Sequence, residues 1–380
     1  NDRIIVLWII MLQDSFSMGI LSDIEIQNLL DNKFIISSSK IISDQVQPAS
    51  LDLSLGNKAW RVKSSFLPGT KSKVSDKILR LAMHEIDLSK GAVLEKGCVY
   101  IAEISEYLNL HENISASANP KSSTGRLDIF TRLIVDYANE FEFVQSGYNG
   151  PLYIEISPRT FSVLVSSGTR LNQIRFRKGN YLLSDAQTTD LHNEVSLISG
   201  YDGSLDIKDG IPLSIDLSGG SNGLIGYRAR KHTDLINLEN INFYKREAFW
   251  EQVTLNDLTS EGLVLNPDEF YILASSEFIT IPETHAAEMR AYDTRVGEFR
   301  AHYAGFFDPG FGIDKNGKSK TRAVLEVRSH DVPFLIEEGQ TVCRLVYEKM
   351  SSLPKKVYGG KGMSSNYQSQ GLKLSKHFIN

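Results

Sequence analysis

The sequence predicts a mostly β protein with short helices, built as two tandem units. Three observations carry that prediction. Short runs rich in Val, Ile, Tyr and Phe alternate apolar and polar residues, Gly, Pro, Asn and Ser separate them at hairpin-like intervals, and the chain is written twice. "LSDIEIQNLLDN" (21–32) returns as "LSDAQTTDLHNE" (183–194), and "QPASLDLSLGN" (47–57) as "IPLSIDLSGGSN" (211–222). "VLEKGCVYIAEISEYLNL" (93–110) returns as "VLNPDEFYILASSEFITI" (264–281), and "LVSSGTRLNQIRF" (164–176) as "LIEEGQTVCRLVY" (335–347). Four pairs in one order define a tandem duplication, with its seam near residue 181 and a tail after about residue 350.

Taken in order, the apolar run "RIIVLWIIML" (3–12) is too short to span a bilayer as a helix and lacks the basic flank of a secretory signal. Met18 is read as the functional start, so residues 1–17 are expected to be a dispensable extension, with an amphipathic or membrane-touching segment as the competing reading. An amphipathic helix at 22–32 opens the first copy, and a weaker one near 184–194 opens the second. "SLDLSLG", "CVYIAEIS", "LYIEIS", "FSVLVS" and "LNQIRF" alternate like half-buried strands, which makes each copy a barrel or a double-sheeted roll. At about 165 residues, each copy is large enough to bury its own core.

Composition excludes several classes. The 380 residues are 41% apolar and 23% charged, and a formal charge of −5 is spread along the chain without blocks, so no polyanion-binding face is advertised. Neither nucleic acid nor a membrane is therefore expected as a partner. Cys98 and Cys343 lie in different halves without a CxxC or a Cys/His cluster, which suits a reducing cytoplasm and speaks against a structural zinc site.

Three polar islands bear chemistry. In "PKSSTGR" (120–126), Lys121 and Arg126 supply charge, Ser122, Ser123 and Thr124 supply hydroxyls, and Gly125 lets backbone approach a ligand. The order of a Walker loop is absent, and by itself the string reads first as a basic surface turn and second as an anion cradle. "VQSGYNGPLYIE" (144–155) is a Gly-rich hairpin leading to Glu155. Its counterpart "FDPGFG" (307–312) precedes "RAVLEV" (323–328) and Glu326, with "IDKNGKSK" read as a solvent-exposed insertion between them. A Glu on an alternating strand usually belongs to the wet face. The tail "VYGGKGMSSNYQSQGLKLSKHF" (357–378) is rich in Gly, Ser and Gln, and reads as a segment that orders over something or as a frayed end.

Together, "QPASLDLSLGN", "PKSSTGRL", "SGYNGPLYIE", "SSGTRLNQIRF" and "VYGGKGMSSNYQSQG" resemble dCTP deaminase of the dUTPase-like superfamily, over nearly all of residues 18–380. The resemblance implies two dUTPase-like distorted β-barrel or jelly-roll units (18–180 and 181–350) with a lid or tail at 351–380. It implies assembly into homo-oligomers and hydrolysis of dCTP to dUTP and ammonia, feeding dUMP and dTMP synthesis. No catalytic metal is implied, though Mg²⁺ is expected on the triphosphate. The chain has no H-x-E with a following P-C-x-x-C, the pattern of the zinc-dependent deaminases.

On this resemblance Glu155 is the base, Ser122 holds the water and Arg126 steadies the site, while Lys121 and Ser123 orient the phosphates. Tyr358, Tyr367 and Gln370 resemble the lid residues. The second copy departs from the pattern: "RAYDTR" (290–295) keeps Arg295 but has Ala291 at the Ser position. It also keeps Asp308, the counterpart of a sugar-side Asp, where the first copy has Gln145. Neither copy holds a full set, so a composite of Ser122 and Arg126 with Asp308 and Glu326 stands beside the favoured first-copy assignment. A dUTP pyrophosphatase or bifunctional enzyme, and a catalytically silent nucleotide-binding protein, stay open as alternatives.

Overall fold

In the computed structural model, residues 18–201, 205–291, 299–300, 305–313, 321–329, 331–360 and 371–379 are described; Arg295, Tyr367, Gln370, the extension 1–17 and most of the "IDKNGKSK" loop lie outside them. The protein is mostly β, with a few short helices. Helices Asp23–Asp31 and Asp185–Val195 open the two copies where apolar spacing predicts them. Ser22 and Ser184 precede them, and the side chains of Glu25 and Gln187 reach back to accept from the Ser22 and Ser184 N–H groups at 2.8 and 3.0 Å.

The duplication is carried into strand order. One sheet runs Ala82–Asp87, Leu55–Val62, Val99–Asn109, Asn149–Pro158, Ile129–Val135. Its counterpart runs Trp250–Thr254, Leu224–Ala229, Phe270–Ile279, Arg322–Ser329, Phe299–Arg300. Even the register repeats, because Glu155 pairs with Ile101 and Glu326 with Ile272, one position apart in neither copy. The second pair of sheets joins Asn172–Lys178, Ile114–Pro120 and Phe143–Val144 in the first copy, and Thr341–Lys349, His285–Ala291 and Phe306–Phe307 in the second.

Alternation holds within strands, but the outer face is not always wet. Along Val99–Asn109, Tyr100, Ala102, Ile104 and Leu108 enter the main core, while Ile101 points the other way and is also buried. It is covered by Val74–Leu81, a helix that the sequence reading passes over, whose Val74 and Ile78 pack on Ile101, Val62 and Ile134. Lys73 donates its N–H to Asp76 at 3.0 Å and Val74 donates to Asp136 at 2.8 Å, fixing the helix entry.

Two buried ionic joints lock the copies together. Arg175, fully buried in the first copy, donates to Glu348 at 2.6 Å and to the carbonyls of Ala287 and Phe307 at 3.1 and 3.2 Å. Arg177 takes the other oxygen of Glu348 at 2.9 Å. The second joint pairs Arg328 of the second copy with Asp128 of the first, and Thr160 shares it by donating to Asp128 at 2.5 Å. Buried pairs such as these gain little net stability, but losing one partner strands a charge. Replacing Glu348 by Ala is therefore expected to cost roughly 3–5 kcal/mol, read by urea unfolding of the full chain.

Glu106 offers a second test. It lies buried, accepting from the Ser54 N–H at 2.9 Å and from Gln45 at 3.2 Å, with no cation among those partners, and burial pushes its carboxyl up to about 7. The folded protein thus keeps a proton that the unfolded chain releases near its ordinary 4.5. That contribution is fully present below pH 4.5 and is lost as pH rises through 7. Glu106→Gln is expected to flatten the fall in stability over this window, recovering about 3 kcal/mol at pH 8 in denaturant titrations.

Candidate active site between the two copies

The stretch "PKSSTGR" folds as one short helical turn, Ser122–Gly125, at the end of the Ile114–Pro120 strand. Leu171 anchors it from below, its carbonyl accepting from the Lys121 N–H at 2.9 Å and the Thr124 hydroxyl at 2.8 Å. Ser123, Thr124, Gly125 and Arg126 are buried, and Ser122 is half-buried. This is not a loose surface turn.

What faces the turn comes from the other copy. The three atoms nearest to a Cβ built on Gly125 all belong to the Glu326 carboxylate, with Oε1 at 2.6 Å and Cδ at 2.7 Å. Gly125 is thus needed for close approach by a protein carboxylate, where the sequence reading assigned that space to a ligand. Glu326 is 2% exposed and Glu155 1%, so neither lies on a wet face as alternating strands predict. Each is covered for a different reason: Glu326 by the turn of the first copy, and Glu155 by its own neighbours.

Glu155 accepts two hydrogen bonds from Arg132, at 2.7 and 3.1 Å, from the adjacent Ile129–Val135 strand. Arg132 in turn lies 3.5 Å over the Phe141 ring and donates to Ser65 at 2.8 Å. The position equivalent to Glu326 is therefore filled by an ion pair stacked on an aromatic ring.

Asp308 sits at the same junction as Glu326. It pairs with Arg175 at 3.4 Å, and burial pushes its carboxyl above the usual range against the pull of Arg175, with Asp52 and Lys121 of the first copy also acting on it. Lys121 ion-pairs with Asp52, and Arg170 reaches the same carboxylate at 3.4 Å and Asp44 at 3.0 Å. Asp52 and Arg170 escaped the sequence reading, although a signal was available. Asp52 recurs as Asp216 in the duplicated "LDLS" and "IDLS" strings, and Asp216 too carries an Arg partner, Arg322.

Beside the turn lies a cavity of about 400 Å³, lined by Lys121, Ser123, Arg170, Lys376 and His377 among others. The structure therefore brings together Ser122, Ser123, Lys121 and Arg126 with Asp308 and Glu326. Gln145 is exposed on the hairpin turn, and Tyr358 packs on Phe311 at 5.4 Å between ring centroids.

Family models for the N-terminal and C-terminal domains of 2'-deoxycytidine 5'-triphosphate deaminase match residues 17–180 and 184–378. The chain belongs to the dCTP deaminase family. A solved structure described as 2'-deoxycytidine 5'-triphosphate deaminase from Agrobacterium tumefaciens is similar at 52% identity and a TM-score of 0.82, covering 88% of this chain and 99% of that one. A Dictyoglomus turgidum relative named "dCTP deaminase, dUMP-forming" is 30% identical over 174 residues, 44% of this chain and 84% of its own length. For the relatives of the same name from Methanobrevibacter smithii and Methanosphaera stadtmanae, identity is 30% and 28%. Those matches take in 29% and 34% of this chain, and the chain spans 54% and 63% of the relatives' length.

Within this dCTP deaminase fold the fit of Glu326 to Gly125 gives a sharp test. A methyl group at residue 125 must displace the Glu326 carboxylate, the movable far end of its side chain, so the group shifts at little cost to the fold. Gly125→Ala is expected to lower kcat by at least about tenfold while shifting the melting temperature by only a few degrees, as steady-state assays and calorimetry will read.

Proposed function

We propose that the protein hydrolyses the C4 amine of dCTP, giving dUTP and ammonia, at a site shared by its two copies. The observation that carries this reading is the buried Glu326 carboxylate seated on the turn that holds Ser122 and Arg126. In this reading Glu326 takes the role that the resemblance gave to Glu155, and the composite assignment replaces the first-copy one.

The chemistry follows from the groups present. The Ser122 hydroxyl holds a water, and Glu326 takes its proton as the water oxygen bonds to C4 of the ring. The C4=N3 π bond opens in this step and N3 takes the proton from Glu326; the tetrahedral intermediate then collapses as Glu326 carries the remaining hydroxyl proton to N4, C4=O forms, the C4–N4 bond breaks and ammonia leaves. Arg126 holds its charge beside the carboxylate throughout. Lys121, Ser123, Arg170 and Lys376 line the neighbouring cavity with cations and hydroxyls suited to phosphate oxygens. Mg²⁺ arrives as part of the triphosphate substrate, and no step runs through it.

The same reading takes residues 18–180 and 181–350 as two dUTPase-like barrel or jelly-roll units with a tail at 351–380. It takes the working form as a cytoplasmic homo-oligomer whose partner is the nucleotide, Tyr367 and Gln370 as further contacts to that nucleotide, and Arg295 as a second-tier catalytic residue.

A second reading carries the product on to dUMP. It is favoured by Asp308, a hairpin carboxylate held beside Lys121 and Asp52, and by the name "dUMP-forming" borne by the curated relatives. Quenched-reaction chromatography separates the two, since dUTP accumulates in the first and dUMP with pyrophosphate in the second.

Purified protein given dCTP and Mg²⁺ is expected to release ammonia. Glu326→Gln is expected to cut the rate by about 10²–10⁴-fold, the range for losing a general acid–base group, while Glu155→Gln stays within about threefold of the parent. The opposite ranking would return the base to the first copy.

A further inference from the structure

The end of the chain is built into the proposed site. Residues 371–379 are not a frayed terminus: Leu374, Ser375, His377 and Phe378 are all at most 6% exposed. Terminal residues are ordinarily loose unless something ties them down. Here Phe378 packs among Tyr244, Phe249 and Trp250 at centroid distances of 6.4, 5.5 and 5.9 Å. The backbone is stitched to the same segment, with the Asn242 N–H donating to the Lys376 carbonyl at 2.9 Å and the Phe243 N–H to the His377 carbonyl at 3.0 Å.

From that anchor two polar contacts reach the turn. The Ser375 hydroxyl lies 2.8 Å from the carbonyl of Ser123, and Arg126 donates to the carbonyl of Lys373 at 2.8 Å. His377 stands behind Ser375, with Nδ1 2.9 Å from its Oγ and Nε2 3.2 Å from the carbonyl of Leu238. Ser375 has one hydroxyl hydrogen, and with that hydrogen on the Ser123 carbonyl the Nδ1 contact places the hydrogen of the neutral ring on Nδ1, donated to Ser375 Oγ. The ring thereby fixes the rotamer of Ser375, and burial, which pushes His377 down to about 4, keeps the ring in this neutral form.

We infer that His377 and Ser375 are positioning residues, which hold the backbone of residues 122–126 in register with Glu326. The inference rests on the proposed reaction for its kinetic consequence only; the mechanical claim stands by itself. The aromatic anchor explains why the tail can do this: it roots the last residues in the main apolar core, and the polar contacts then have a rigid base from which to pull.

The test uses the full chain and two variants. Ser375→Ala removes one hydroxyl from a buried site with little change of volume, and His377→Leu keeps the bulk while deleting both ring nitrogens. Hydrogen exchange of the peptide covering residues 121–127 is expected to quicken about three- to tenfold in both, as befits one lost hydrogen bond, with no change in peptides from the Thr341–Lys349 strand. With dCTP as substrate, kcat is expected to fall by about tenfold at most while KM moves less, and His377→Asn, which restores a polar atom toward Ser375, is expected to recover most of the loss. Parental exchange of the 121–127 peptide in both variants would overturn the inference whatever the enzyme's substrate. So would a uniform rise in exchange across the molecule in Ser375→Ala, which marks a merely structural role. Absence of ammonia release from the parent protein would count against the proposed reaction and leave the exchange result to decide this one.

Discussion

Two residues beyond Glu326 on its strand, Arg328 is buried against Asp128, which lies two residues beyond Arg126 at the end of the Ser122–Gly125 turn. This one pair spans 200 residues of sequence and ties the strand of Glu326 to the end of the turn whose Gly125 the Glu326 carboxylate approaches. Charges of this kind cost desolvation, so their value lies in geometry: the copies can dock in one arrangement that leaves no charge unpaired. Arg175 imposes the same demand from the other side, filling the space between the copies and meeting Glu348 and Asp308 together. Rigid-body slippage of one copy against the other would break both joints at once.

With the copies so docked, the duplication ceases to be symmetrical. Each strand Glu sits at the same register, yet Glu326 meets a turn from the neighbouring copy, and Glu155 meets Arg132. An arginine stacked on Phe141 and paired with a buried carboxylate satisfies that charge within the first copy. In the proposed site the first copy contributes the turn with its hydroxyls and cations, and the second contributes Asp308 and Glu326.

The tail completes this arrangement. Its last residues share a core with the first copy through Leu374 and Phe378, and they touch the turn through Ser375 and the Lys373 carbonyl. Residues from the two copies and from the C-terminus thus converge on the same seven-residue stretch, and each is held by packing that lies outside the site.

How much of this was legible can be judged residue by residue. The β-rich class, the doubling, both opening helices and the pairing of Glu155 with Glu326 as equivalents were all readable, because side-chain alternation and capping are local and repeat visibly along the chain. The helix Val74–Leu81 was passed over although its capping Asp76 and its apolar Val74 and Ile78 are present, since a short helix among strands gives only two turns of periodicity. The family resemblance placed Glu155 above Glu326 because Glu155 stands nearer to the turn in sequence, whereas in space it is Glu326 that lies against Gly125. The sequence by itself determined which residue types the site has at its disposal and on which strands they stand. Only the tertiary structure decided which carboxylate faces the turn, since that depends on buried charges meeting across a copy boundary, and no local pattern encodes a meeting of residues 200 positions apart.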